Sequence, residues 1–285
     1  MGRENASGPV RRRQRMARAT PNTIDARRKS MSTYVLIHGS WHGAWCWYKI
    51  TSRLEAAGHT VVVPDMPGHG RDWTPPGQVT MRDYVGTVTR VLDTAAEPVV
   101  LVVHSRNGIV AAQAAEARPE KIRTLVYLAS YLPPVGDTAP LAQSRGEGQW
   151  AHDPDSLLWA KQSVDVNRKA GWDMLQRQAF REALYADCSD DDVALSSALL
   201  TPEPRGPLSP TETPIRTTPE NFGRIPRVYI ELTQDRAVSW GAQRRMYQAT
   251  PCERVLSIDA SHSAYFSQPD QLMKQILTAG GDWRR

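Results

Sequence analysis

The stretch Pro98-Val-Val-Leu-Val-Val-His-Ser-Arg-Asn-Gly108 decides how the chain is read. Its first six residues are a short uninterrupted apolar run, the pattern of a strand buried on both faces of a parallel sheet. A polar turn breaks the run, and residues 109–117 then carry helix-forming composition until Arg118-Pro119, where proline forbids continuation. Strand, tight turn and helix together make the setting in which a serine is held in strained backbone, with its hydroxyl raised above a sheet edge. Ser105 occupies that turn. Alone it is weak evidence, because serine is also an ordinary N-cap residue.

Working outward, short β-branched runs at residues 34–37, 60–63, 125–129, 227–232 and 254–258 alternate with helical stretches at 47–57 and 81–95. This order predicts an α/β fold built on a mostly parallel, doubly wound sheet, with ligands bound beyond the carboxyl ends of the strands. Between residues 132 and 222 the rhythm fails. Proline-rich polar pieces such as Thr201-Pro-Glu-Pro-Arg-Gly-Pro207 alternate with segments carrying Trp150, Leu157, Leu158, Trp159, Trp172 and Phe180. Some ninety residues are too many for a plain loop, so this segment reads as a helical cap, without sheet strands, over a core made of residues 31–131 and 223–285. Most cap aromatics are expected to pack against the core; Trp41, Tyr131 and Trp159 are the expected substrate-binding residues.

The formal charge of +5 is misleading. Nine basic residues lie before Met31 against only Glu4 and Asp25, so residues 1–30 carry +7 and the rest of the chain −2. The body therefore gives no electrostatic reason to expect nucleic acid. The first thirty residues lack periodicity and read as a flexible basic tail with no apolar segment behind its arginines, hence neither a secretory nor a twin-arginine signal. No stretch is apolar enough to span a membrane. Cys46, Cys188 and Cys252 are odd in number and widely spaced, which argues against a disulfide framework or a zinc site and for the cytoplasm. No metal and no cofactor is expected. The oligomeric state stays open, with a homodimer among the options.

Two further residues give Ser105 its meaning. Asp235 stands three residues past the run 227–232, and His262 stands just past the last strand. Serine, acid and histidine, each on a loop after a strand, is the chain order of α/β-hydrolases, and it gathers all three at one sheet edge. The chemistry needs that grouping, because a serine hydroxyl is a poor nucleophile until an imidazole takes its proton and a carboxylate orients the imidazole. Asp259 is a rival acid, ranked lower because it sits at a strand end only three residues from His262. Backbone N–H groups of Ser40 and Arg106 are the expected oxyanion donors. His38 and His42 are read as structural residues of the loop that carries Ser40.

Tyr34-Val-Leu-Ile-His-Gly-Ser-Trp-His-Gly-Ala-Trp-Cys-Trp-Tyr-Lys49, Leu54-Glu-Ala-Ala-Gly-His59, Phe180-Arg-Glu-Ala-Leu-Tyr-Ala-Asp-Cys188, Arg227-Val-Tyr-Ile230 and His262 followed by Pro269-Asp-Gln-Leu272 resemble the plant methylesterase and hydroxynitrile lyase family and its bacterial esterase relatives. The resemblance runs from about Tyr34 to Ile276 and implies the α/β-hydrolase fold. It implies hydrolysis of a small ester through an acyl-enzyme, with a methyl ester or methyl carbamate as substrate. Bacterial relatives acting on pesticides extend this to xenobiotics. Two alternatives are a ligand-binding protein on a hydrolase scaffold and a hydroxynitrile lyase. The lyases carry threonine after the first-strand histidine, lysine after the catalytic histidine and glutamate before the nucleophile; here those positions hold Gly39, Ser263 and His104. The elbow departs from the family pattern, with Val103 and Asn107 where glycines are usual, and Val103 predicts a wider turn.

Overall fold

The computed structural model describes residues 1–2, 31–136, 139–159 and 163–282. The chain divides into two units, Met1–Ser30 and Met31–Arg285, and the second carries everything below. The tail expected over residues 1–30 lies, apart from Met1 and Gly2, outside the described residues.

Six strands form one sheet: β1 (Thr33–Ile37), β2 (Thr60–Val62), β3 (Val99–His104), β4 (Ile122–Leu128), β8 (Arg227–Leu232) and β9 (Arg254–Ile258). Their spatial order is β2-β1-β3-β4-β8-β9, and every neighbouring pair is parallel. The order reverses between β1 and β3, so the crevice beyond their carboxyl ends is the topological switch point where open α/β sheets bind ligands. Strand period 2 separates two cores. Leu36, Val100, Val102, Val126 and Ile230 face α1 (Tyr48–Ala56) and α9 (Pro269–Ala279). Val35, Leu101, Val103, Tyr127 and Tyr229 face α2 (Met81–Thr94), α3 (Gly108–Ala117) and α7 (Trp240–Ala249). Covering both faces with helices is what permits continuous apolar strands. The fourth strand ends at Leu128 rather than at residue 129, where Ala129 turns to a φ of 40°.

The segment 132–222 is not the strandless helical cap that its sequence suggested. It holds the short helices α4 (Leu141–Ser144) and α5 (Phe180–Leu184), the longer α6 (Asp190–Leu199), and a second sheet ordered β5-β6-β7 from Val164–Asn167, Trp172–Leu175 and Glu203–Pro204. This small sheet is antiparallel. Its strands are too short, and β5 too exposed, to leave an alternating pattern. The cap also packs into the main core rather than standing apart, since Leu158, Leu175, Phe180, Ala183 and Leu184 share a cluster with the sheet. The last helix before α9, α8 (Ala264–Ser267), follows directly on His262 and Ser263.

Candidate active site

Ser105 lies at the carboxyl end of β3, in the 3₁₀ turn Ser105–Asn107 that leads into α3, with φ at 57°. That left-handed backbone is costly for any residue but glycine, and it persists only where surroundings enforce it. The enforcing contacts are visible. The Ser105 carbonyl accepts the Tyr131 N–H at 3.0 Å and the Ser130 hydroxyl at 2.5 Å, and Ser130 is itself clamped at its N–H and carbonyl by the Tyr229 hydroxyl. Gly108 opens the helix against this clamp, where a Cβ would stand 2.2 Å from the Tyr131 carbonyl oxygen. Close approach of helix and loop therefore falls on Gly108.

Val103 and Asn107 take the usual glycine positions, and both are held by the surrounding structure. Val103 is fully buried and paired in register with both Ile37 and Tyr127, and pairing with β4 continues through His104. Asn107, also fully buried, donates from Nδ2 to the His38 carbonyl at 2.8 Å and ties the elbow to the end of β1. The strand register therefore holds up to the elbow despite Val103.

The structure brings Ser105, His262 and Asp235 together. His262 Nε2 lies 3.0 Å from Ser105 Oγ, and its Nδ1 lies 2.6 Å from Asp235 Oδ2. The second contact assigns the ring proton to Nδ1, leaving Nε2 to accept from the serine hydroxyl. Asp235 is fixed in turn, its Oδ1 accepting the N–H groups of Ala237 at 2.8 Å and Val238 at 3.0 Å. All three residues are buried, at 6%, 2% and 5% exposure in that order, so their contacts act in a medium less polar than water. Asp259 is elsewhere. Its carboxylate accepts from Thr233 and Gln234 at the surface, and those bonds hold its pKa below the usual carboxylate range.

The loop after β1 is braced by both of its histidines. His38 Nδ1 donates to the Gly39 carbonyl at 2.9 Å while Nε2 accepts the Met66 N–H at 3.0 Å. His42 donates to the Ser40 carbonyl at 2.6 Å and accepts from the hydroxyls of Tyr185 and Tyr265. Burial lowers the pKa of His38 to about 4 and of His42 to about 3, so both are neutral supports. His104 is likewise held neutral, first by burial and then by neighbouring His262; its Nε2 donates to the His262 carbonyl at 3.0 Å. A Cβ on Gly39 would fall 2.7 Å from His104 Nδ1 and 2.8 Å from Ser105 Cβ. Glycine at 39 and histidine at 104 therefore belong together.

Ser40, Trp41, Arg106, Tyr131 and Trp159 all line the pocket that contains Ser105. Sequence reasoning missed the polar lining supplied by the segment 132–222, where Arg145, Asp173, Arg205 and Thr211 also face the pocket. Arg106 does not reach out to solvent. It is buried and ion-paired to Glu203 of β7, with Nη1 2.5 Å from Oε2. Glu203 also accepts the Trp41 N–H at 2.7 Å, which fixes Trp41 in a left-handed conformation with φ at 63°. Burial pushes the Glu203 carboxyl up, but Arg106 and His69 outweigh it and hold the group near 2. Asp173 moves the other way, to about 6, because of burial and the neighbouring Glu203 charge. No pattern of spacing marks these cap residues in advance.

Residues 34–275 match the model of the alpha/beta hydrolase family. The chain belongs to that family. Among curated relatives of this hydrolase, Methylesterase 9 of Arabidopsis thaliana is 31% identical, covering 87% of this chain and 97% of its own. A crystallised methylesterase from Arabidopsis superposes with a TM-score of 0.74 at 26% identity, over 89% of this chain and 100% of that one. A pyrethroid hydrolase from Sphingobium faniae JZ-2 gives 0.76 at 25% identity, over 88% and 98%. Among the described residues of the hydrolase, no cluster of His, Cys, Asp and Glu could hold a metal ion, and no helix is long and apolar enough to cross a membrane.

Proposed function

We propose that the protein hydrolyses small carboxylic esters, methyl esters foremost, through an acyl-enzyme on Ser105. The observation that carries this reading is the convergence of Ser105 Oγ, His262 and Asp235 at 3.0 and 2.6 Å, at the switch point of the sheet. Ser105 Oγ attacks the ester carbonyl carbon as its proton passes to His262 Nε2, and the resulting imidazolium is stabilised by Asp235. The oxyanion rests on the N–H groups of Ser40 and Arg106. Collapse of the tetrahedral adduct breaks the bond to the alkoxy oxygen, which leaves as methanol with the proton from His262. Water, deprotonated by the same nitrogen, then releases the acid and restores the serine.

Similarity to Methylesterase 9 supports a methyl ester, and similarity to the pyrethroid hydrolase supports extension to xenobiotic esters; methyl carbamates, which release methanol by the same steps, are included in the proposal on chemical grounds. The lyase chemistry is disfavoured by Ser263, whose hydroxyl donates to Tyr265 at 3.1 Å where a lysine cation would be required, and by the crowding at Gly39. The three cysteines are unpaired, which supports a reducing cytoplasmic setting. Nothing in the reaction calls for a cofactor, nucleic acid or membrane. The test is methanol release from a panel of short-chain and aromatic methyl esters and methyl carbamates. Turnover of at least one ester, lost in Ser105→Ala, is expected; no turnover of any member by the folded protein contradicts the reading.

A further inference from the structure

The pocket around Ser105 is lined by three arginines, Arg106, Arg145 and Arg205, against a single carboxylate, Asp173. The neighbouring carboxylates are already engaged. Glu203 is bound to Arg106 and to the Trp41 N–H. Asp173 accepts from Trp41 Nε1 at 3.1 Å and lies 3.6 Å from Arg205 Nη1, while Arg205 Nε lies 3.3 Å from Glu212. Among the described residues no carboxylate remains for Arg145. Its guanidinium is instead laid on the Trp159 ring, 3.8 Å from the centroid, with the Tyr131 ring at 5.3 Å. Its Nε is buried and has no hydrogen-bond partner. Burial pushes its pKa down, with the nearby Arg205 adding to this, while the Tyr131 hydroxyl and the more distant Asp173 charge act in the opposite direction.

Arginine cannot shed its proton in a protein, and with no carboxylate paired to it directly this guanidinium is open to a counter-charge brought by a ligand. A planar fork held flat on an aromatic face is prepared for a carboxylate, which it takes in two parallel hydrogen bonds. Trp41, Tyr131 and Trp159 complete an aromatic lining, and the cavity, about 20 Å³ with its side chains as they stand, takes a flat body between that carboxylate and the reacting ester only when they move apart. We propose that Arg145 recognises a free carboxylate on the substrate, so that the preferred esters are half-esters of small, aromatic-type dicarboxylic acids. This rests on the esterase reading and narrows its substrate class.

The decisive comparison uses monomethyl terephthalate and methyl 4-methylbenzoate, which share a ring and a methyl ester and differ in the charge at the far end. The wild-type protein should favour the half-ester in kcat/KM by about 10–100-fold, chiefly through KM, as a buried charge-assisted pair would give. Arg145→Gln should reduce that ratio at least tenfold, and Arg145→Lys should retain part of it. A wild-type ratio near one, or a ratio unmoved by Arg145→Gln, overturns the proposal. Terephthalate titrated into Ser105→Ala protein, with and without Arg145→Gln, gives a reading independent of turnover: Kd should rise at least tenfold with the second substitution. If the wild type cleaves neither ester, the esterase reading is the one in difficulty, and the titration still decides this one. Equal Kd values there refute it.

Discussion

The sheet end and the cap meet at one pocket but are built on opposite principles. On the sheet side, apolar strands buried on both faces deliver Ser105, Asp235 and His262 to one edge, and each is closed by hydrogen bonds. On the cap side, Glu203 and Asp173 from the small antiparallel sheet sit buried among Arg106, Arg145 and Arg205, with several guanidinium nitrogens lacking hydrogen-bond partners. A satisfied polar constellation on a rigid frame suits chemistry that must be repeated without error. An unsatisfied one suits recognition, because a ligand can supply what is missing. On the proposed reading, the difference gives reaction to the sheet and selection to the cap.

Substitutions can break that division, and the largest effect is expected at the sheet edge. Ser105→Ala or His262→Ala should lower kcat by roughly 10⁴–10⁶ while the thermal midpoint changes little. A matching loss of folding would mean that the hydroxyl and ring serve the fold instead. Asp235→Asn should cost about 10⁴ in kcat by favouring the wrong tautomer of His262, whereas Asp259→Asn, altering a surface carboxylate bound to Thr233 and Gln234, should leave kcat within about twofold. Reversed effects would move the acid role to Asp259.

On the cap side the prediction is for stability. Glu203→Ala leaves Arg106 buried without its counter-charge and should cost about 3–5 kcal/mol in denaturant unfolding. The sign of the pH dependence follows from the two carboxyls. Glu203, depressed from 4.5 to about 2, contributes stability that is present above pH 4.5 and lost as pH falls toward 2. Asp173, raised from 3.8 to about 6, acts oppositely and makes the fold less stable as pH rises through that interval. Unfolding curves between pH 2 and 4.5 should therefore flatten in Glu203→Gln. The smallest effect returns to the sheet edge: Gly39→Ala forces a methyl against His104 and Ser105 and should cost about 1–3 kcal/mol, with a measurable fall in kcat.

The same contrast explains what the chain disclosed before its structure was known. The sheet was legible because Val99 to His104 and its neighbours repeat a simple physical pattern, and the loops behind three strands named Ser105, Asp235 and His262. The clamp on Ser105 was half legible: Gly108 stands in the motif, but its reason is the Tyr131 carbonyl, a contact made across 23 positions of chain. The cap was opaque. Strands of four, four and two residues leave no period to read, and a buried Glu203 looks in sequence like any surface glutamate. The partner of Arg106 lies 97 positions away, a pairing that no local pattern announces.

The most direct trial of the account is covalent labelling of the native protein with a fluorophosphonate, followed by peptide mapping of the adduct. The three-residue constellation predicts one phosphonylated site, on the Ser105 hydroxyl, with labelling abolished in His262→Ala. An adduct on a different residue, or none on well-folded protein at full reagent excess, would contradict it.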